Sequence, residues 1–342
     1  GMELLGFQDG FAGLADDRYQ LLKSDDYSGI LTAGGTILGT SRDHPERMLV
    51  GDKWIDRTAD ILAVYRQHEL DALVCIGGRD AQDGAFHLHE AGLPVISLPV
   101  TIDNDIPHTD VTVGFDTAQE IAAEAIDRLH STALSHHRII IVEMMGRETG
   151  WLTLAAGLAG GADVILIPEV PYDVNIISQA IISRSERGKR FSLVAVSEGA
   201  VSQETNAFFE SVRKANERLR DGKEEEEILK HLKKIEISTA GDTLHLANRL
   251  EKFTNLETRV TILGYLQRGG TPSANDRVLA TQLGAACARH VQAGQFGVMV
   301  AASKGGTTTV PLAEVTNQIK LIPPEHGWIQ AARLVGICLG DR

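Results

Sequence analysis

Thr101-Ile102-Asp103-Asn104-Asp105 sets two carboxylates two residues apart, directly behind an apolar run at 95–98. A carboxylate at the end of a buried strand can take a proton from a hydroxyl, while its neighbour helps hold a divalent cation. The same residues also make an ordinary turn, because Asp and Asn side chains bond back to nearby backbone. Met145-Gly146-Arg147 follows another apolar run, and Gly150-Trp151 opens a helical stretch behind it. Backbone N–H groups and a guanidinium placed there could face an anion, although a strand-ending glycine with a surface arginine is also consistent with these residues. Gly34-Gly35-Thr36-Ile37-Leu38-Gly39-Thr40-Ser41-Arg42 and Gly77-Gly78-Arg79-Asp80 are glycine turns at which a backbone could approach phosphate closely. Neither completes a dinucleotide or Walker pattern. His130, His136 and His137 stand close to Arg138 and read as helix capping rather than as a metal site.

The elements that must carry these residues alternate regularly. Short apolar runs at 73–76, 95–98, 139–142, 164–167, 193–196, 260–263 and 298–301 read as buried strands. Stretches at 117–129, 151–158 and 174–187 are long enough to be the crossover helices between them. This is the pattern of an α/β protein with parallel sheets, and most runs end in glycine or charge, the end at which such sheets hold ligands. A length of 342 residues suffices for two lobes, each with its own core. One segment, residues 221–234, breaks the rhythm with Glu224 to Glu227 followed by Lys230, Lys233 and Lys234, and reads as a solvated helix.

The balance of charge narrows the partners. A formal net charge of −13 repels nucleic acid and anionic lipid, so an anionic ligand must be small and held by local arginines and N–H groups. No apolar run approaches the roughly 18 residues of a membrane helix. Three scattered cysteines, Cys75, Cys287 and Cys338, lack CxxC spacing and argue against a disulfide framework or zinc site, which fits a reducing cytoplasm. The first residues, Gly1 to Phe7, have neither a basic nor an apolar leader region and read like the inside of an α/β domain.

Taken together, several segments resemble the phosphofructokinase family. They are the two glycine turns, Pro99-Val100-Thr101-Ile102-Asp103-Asn104-Asp105-Ile106, Gly114-Phe115-Asp116-Thr117-Ala118, Val142-Glu143-Met144-Met145-Gly146-Arg147, Ser197-Glu198-Gly199 and Leu263-Gly264-Tyr265-Leu266-Gln267-Arg268-Gly269-Gly270. They follow the family's order and cover nearly the whole chain. The resemblance implies two Rossmann-like lobes: a donor-binding lobe of 1–114 plus 268–310, and a sugar-phosphate lobe of 115–267 plus 311–342. It implies transfer of a phosphoryl group to the 1-hydroxyl of fructose 6-phosphate. Asp103 would be the base, Thr101 would line the moving phosphoryl group, Arg147 would stabilise its charge, and Asp105 would stand near Mg²⁺. Met145, Gly146, Glu198, Tyr265, Gln267 and Arg268 would read the sugar phosphate, with Arg138 and Arg259 reaching in from a neighbouring copy, so the resemblance implies a homo-oligomer, dimer or tetramer, with shared sites. Phe11, Arg42, Gly78, Arg79, Asp80 and Ala81 would form the donor side.

The departures from the family concentrate on the donor. Arg79 stands where an acid near magnesium is usual, and a cation there weakens metal binding. Asp80 matches the pyrophosphate-dependent members, whose carboxylate crowds the ATP α-phosphate, whereas Val100 replaces the lysine those members carry. On balance pyrophosphate is favoured over ATP. Tyr265 replaces the family's usual histidine and leaves sedoheptulose 7-phosphate open as the sugar. The family's first strand and phosphate loop would precede Gly1, so the expectation is a chain lacking its natural start, because losing a central strand would expose unpaired backbone. The alternative is a catalytically weak paralogue that binds sugar phosphate as a regulatory subunit. A nicotinamide-dependent dehydrogenase is disfavoured, because no GxGxxG follows a strand.

Overall fold

A computed structural model describes residues 2–219 and 242–342; the charged segment 221–234 lies outside the described residues. The chain divides into two compact units, Gly1–Ala118 with Arg268–Lys320, and Gln119–Gln267 with Leu321–Arg342.

In the first unit, β1 (Leu4–Phe7) and β2 (Tyr19–Leu22) pair antiparallel around the short helix α1 (Gly10–Ala15), and β3 (Met48–Val50) pairs with β4 (Lys53–Ile55) before α2 (Thr58–Gln67). The main sheet runs β12-β11-β6-β5, built from β5 (Leu73–Gly77), β6 (Val95–Pro99), β11 (Val298–Ser303) and β12 (Gly306–Pro311). β5, β6 and β11 are parallel, while β12 folds back antiparallel from β11. Alternate residues of the inner strands feed two cores. Val95, Met299 and Ala301 join Ile61, Ala85 and Leu88 from α2 and α3 (Arg79–Glu90), whereas Ile96, Leu98 and Val300 pack on Leu283, Ala286 and Cys287 of the helix Ala274–Gln292. Burying each of the Val, Ile, Leu and Met side chains among these stabilises the unit by about 1.5–3 kcal/mol. At the edge strand β5, Leu73 and Cys75 are buried, but Val74 and Ile76 on the other face are 39% and 62% exposed.

Buried polar groups lock the strand ends beneath the loops. Gln82, on α3, donates to Gly77 O at 3.0 Å and Leu98 O at 3.3 Å, and it accepts from Ser97 Oγ. Asp276 accepts from Gly114 N and Thr117 N, each at 2.8 Å, and from Thr117 Oγ1, which covers the unsatisfied N–H groups where α4 (Phe115–His136) begins. Ser273 caps the helix Ala274–Gln292 by accepting from Asp276 N at 3.1 Å. Asp276→Ala strands these buried donors and is expected to cost about 3 kcal/mol, read as a lower urea midpoint with an unchanged slope.

The second unit holds an all-parallel sheet of order β10-β7-β9-β8, made from β7 (Ile139–Met144), β8 (Val164–Leu166), β9 (Ser192–Ser197) and β10 (Thr258–Ile262). β-branched runs such as Ile139-Ile140-Ile141-Val142 suit strands covered on both faces. One face packs on α6 (Val174–Glu186) and the helix Asp242–Thr254 through Ile177, Ile181, Leu246 and Leu250. The other receives α5 (Trp151–Ala159), where a Cβ on Gly157 would fall 2.8 Å from Ile165 and 3.2 Å from Ala195. Every strand expected from the sequence is present, as are the helices expected at 117–129, 151–158 and 174–187. Helix α3 departs from the reading of Gly77-Gly78-Arg79-Asp80 as a simple turn, because these residues end β5 and start a helix.

Candidate active site

In the first unit, the carboxyl end of β6 leads straight into the two-carboxylate segment. Thr101 N donates to Val113 O at 3.0 Å, Val113 N to Pro99 O at 3.1 Å and Thr112 Oγ1 to Thr101 O at 2.7 Å, so the loop is sewn down before Asp103. Asp103 N donates to Thr101 Oγ1 at 3.2 Å, and the hydroxyl in turn lies 3.4 Å from Asp103 Oδ2. Asn104 is buried with a left-handed φ of 51°, a backbone state in which Asn is enriched among non-glycine residues. That twist separates the half-exposed Asp103 from the buried Asp105.

Asp105 is the buried member of the carboxylate pair. Its Oδ2 is 2.8 Å from Arg79 Nε, whereas its Oδ1 is buried with no hydrogen-bond partner. Burial raises its carboxyl above the ordinary carboxylate range, Asp103 adds to that, and Arg79 opposes both. Lys320 reaches the same loop from far along the chain, and burial pulls its ammonium down to about 8.

The donor-side candidates are brought together only in part. Gly78 is the N-cap of α3, and a Cβ on it would touch Thr101 Cβ at 3.6 Å. The N-terminal N–H groups of α3 therefore open next to Thr101, with Asp80 in the first turn and Ala81 behind it. A Cβ on Gly77 would meet Ala81 Cβ at 2.6 Å, so this junction requires glycine. Phe11 lies over Gly84 of α3 as part of the core, and Arg42 is exposed. The glycine-rich segment at 34–42 approaches the one at 269–270, since a Cβ on Gly34 would lie 2.3 Å from Gly270 O.

In the second unit, Met145, Gly146 and Glu198 gather at the carboxyl ends of β7 and β9. Met145 N donates to Gln267 Oε1 at 3.2 Å, Gly146 N lies 3.5 Å from Glu198 Oε1, and Ser197 Oγ donates to Gly146 O at 2.5 Å. Gly146 has φ 139°, and a Cβ there would sit 2.5 Å from Thr149 O, so no other residue fits. A Cβ on Gly199 would fall 1.9 Å from Arg147 O, which pins the backbone of Arg147 while its side chain is exposed. Tyr265 is 76% exposed, and Arg268 is exposed at the end of the same short turn.

Arg138 and Arg259 stand elsewhere. Both flank Glu257, with Arg138 Nε 2.5 Å from Glu257 Oε2 and Arg259 paired to Oε1. In the parallel register Thr258 faces Ile139, so these arginines occupy the amino ends of β7 and β10, whereas Met145 follows the carboxyl end of β7 and Glu198 that of the neighbouring β9. A six-residue strand such as β7 separates its ends by about 20 Å. The arginines therefore form their own cluster within one chain.

Sequence reasoning passed over Glu169 and Lys320. Glu169 accepts from Gly150 N at 3.1 and 3.0 Å and from Ile322 N at 3.2 Å, anchoring the loop behind Arg147 to the C-terminal segment. The Gly150 that cedes it space was the available signal. The histidines make no cage: His130 Nε2 lies 2.9 Å from Gly160 O, and His136 ends α4. Among the described residues no group of three or more His, Cys, Asp or Glu side chains could hold a metal, and no helix is long and apolar enough to cross a membrane.

The family model for phosphofructokinase matches residues 1–291. The chain belongs to the phosphofructokinase family. It is 54% identical over its full length to the ATP-dependent 6-phosphofructokinase of Propionibacterium freudenreichii subsp. shermanii, covering 91% of that protein. It is 46% identical to the ATP-dependent 6-phosphofructokinase of Spirochaeta thermophila, again over the full chain and 90% of the relative. Among solved phosphofructokinase structures, the T-state enzyme of Pichia pastoris matches with a TM-score of 0.73 and 28% identity over 92% of this chain, which spans 32% of that longer one. The pyrophosphate-dependent phosphofructokinase of Marinobacter aquaeolei matches with a TM-score of 0.74 over 99% of this chain and 84% of that one; at 22% identity it speaks for the fold alone. The resemblance carried by the motifs is thus the family membership of the chain, and its α/β reading with parallel-sheet cores is the family fold.

Proposed function

We propose that the protein is a 6-phosphofructokinase, transferring a phosphoryl group to the 1-hydroxyl of fructose 6-phosphate to give fructose 1,6-bisphosphate. The observation that carries this reading is the loop after β6. It sets the Thr101 hydroxyl and the Asp103 carboxylate beside the N-terminus of α3 and leaves Asp105 Oδ1 buried and unpartnered. Asp103 takes the proton of the sugar hydroxyl as its oxygen bonds to the terminal phosphorus, and the bond from that phosphorus to the bridging oxygen of the donor breaks. Thr101 and the N–H groups of α3 hold the phosphoryl oxygens, and Arg147 meets their developing charge. Met145, Gly146, Glu198, Tyr265, Gln267 and Arg268 read the sugar phosphate, a carboxylate accepting from hydroxyls and an arginine gripping phosphate.

The residues fit Mg²⁺, which is bound typically through one or two carboxylates plus substrate phosphates. Asp105 Oδ1 is an orphaned acceptor beside Asp103 and would hold it, although Arg79 on Oδ2 takes up part of the charge. When bound, the ion supplies charge neutralisation on the phosphates. The separation of Arg138 and Arg259 from the carboxyl-end residues supports their serving a second copy of the chain, hence a homo-oligomer with shared sites. A glycolytic enzyme of this kind works in the cytoplasm.

For the donor, the names of the relatives at 54% and 46% identity support ATP, which we take as the first reading. Asp80, a carboxylate in the first turn of α3, favours pyrophosphate as the second. Measuring kcat/KM for fructose 1,6-bisphosphate formation with each donor separately tests both. Asp80→Gly removes charge repulsion and bulk next to the phosphates, so the ratio of ATP to pyrophosphate efficiency is expected to rise about tenfold or more. An unchanged ratio would remove Asp80 from donor selection. No product with either donor, while fructose 6-phosphate still binds, would point instead to a silent sugar-phosphate-binding paralogue.

A further inference from the structure

Lys320 ends the segment that follows the short helix Leu312–Val315, and it is 216 residues from Asn104 in sequence. Its Nζ donates to Asn104 Oδ1 at 2.9 Å, to Thr109 O at 3.0 Å and to Asp110 O at 3.4 Å. An ammonium has three donors and no acceptor, so these three oxygens can use it fully. Its backbone N donates to Asp105 O at 2.8 Å, and three residues earlier Asn317 N donates to Asp83 Oδ1, on α3, at 3.1 Å. One short segment thus touches both elements of the first-unit site, helix α3 and the Thr101–Asp105 loop.

The contact that bears on the carboxylates is the one to Asn104. Asn104 is buried, has the left-handed φ of 51° and separates the two carboxylates. A side chain in that backbone state carries a steric cost that a local hydrogen bond can offset. Were Asn104 to relax, the peptide planes on either side would rotate and Asp103 would aim elsewhere.

We propose that Lys320 is a positioning residue for phosphoryl transfer: it holds Asn104 in its left-handed conformation from the side-chain oxygen and Asp105 from the backbone, and so fixes the direction of Asp103. The inference rests on Asp103 being the base. Lys320 touches neither substrate nor donor in this account, and its effect belongs to kcat.

The experiment compares Lys320→Met, Asn104→Gly and the double variant in the full chain, with Asp103→Ser alongside, by steady-state kinetics with fructose 6-phosphate and the better donor. Lys320→Met is expected to lower kcat about tenfold or more, as a loosened catalytic group does, with the KM for fructose 6-phosphate within about twofold. Glycine adopts the left-handed state without steric cost, so in the Asn104→Gly background the same substitution is expected to cost markedly less. Lys320→Arg, which can still donate to Asn104, is expected to recover part of the turnover. Full turnover in Lys320→Met while Asp103→Ser is inactive would overturn the proposal and leave the base assignment standing. An equal kcat loss in both backgrounds would overturn it too, as a role independent of Asn104. Full turnover in Asp103→Ser would remove the base assignment and this proposal with it. If Lys320→Met does not fold, Asn104→Ala carries the test, because it removes the acceptor and leaves Lys320 bonded to Thr109 and Asp110; unchanged kcat there would overturn the proposal.

Discussion

Asp103→Ser is expected to lower turnover by about 10²–10⁴-fold, the usual reach of a general base, while the dissociation constant for fructose 6-phosphate stays within about twofold. The split follows from when the carboxylate acts. Its negative charge is needed as the sugar hydroxyl gives up its proton, so the loss falls on the transition state and leaves ground-state binding unchanged. Serine suits the test because it is small, still donates its backbone N–H to Thr101 Oγ1, and leaves the Asn104 twist and the Arg79–Asp105 pair in place. Binding by calorimetry and turnover by product formation separate the two quantities. A variant with unchanged turnover would refute the assignment, and one with lost binding would make Asp103 a structural residue of the loop.

Arg147→Ala is expected to lower turnover on the order of 10³-fold, in the range of arginines that meet charge on a transferring phosphoryl group. The backbone makes this substitution clean. Gly199 leaves no room between its own Cα and Arg147 O, and Gly146 tolerates no side chain, so close glycine packing holds the backbone of this loop while the Arg147 side chain is exposed. Melting temperature is accordingly expected to stay within a few degrees of the unsubstituted protein, since surface changes shift stability by about 0.5 kcal/mol or less. Arg147→Lys keeps the charge without the planar fork and is expected to recover only part of the rate. A variant that lost its rate together with its fold would argue that the arginine is structural.

The strands were the legible part of this chain. Ile139-Ile140-Ile141-Val142 and Leu193-Val194-Ala195-Val196 are buried on both faces, and continuous apolar runs between glycine or charged ends announce that directly. Helix α3 was hidden because its N-cap is Gly78 and its buried face, Gln82, Gly84, Ala85 and Leu88, holds a polar residue and a glycine where large apolar side chains would announce a helix. The carboxyl-end residues of β7 and β9 were legible as a group, since each follows its strand at once. The Glu257 cluster was not, because it depends on a register that sets Thr258 opposite Ile139. Lys320 was the least legible of all: a lone lysine in a loop gives no sign that its ammonium donates to a buried asparagine 216 residues earlier.

The chemistry itself is read most directly by phosphorus NMR of the full chain incubated with fructose 6-phosphate, Mg²⁺ and either ATP or pyrophosphate. A new sugar phosphate resonance from C1 of fructose 1,6-bisphosphate is expected in step with loss of the donor terminal phosphate, and no such resonance over the same interval with Asp103→Ser. Bound fructose 6-phosphate with neither donor consumed, or equal product from the unsubstituted and Asp103→Ser proteins, would contradict it.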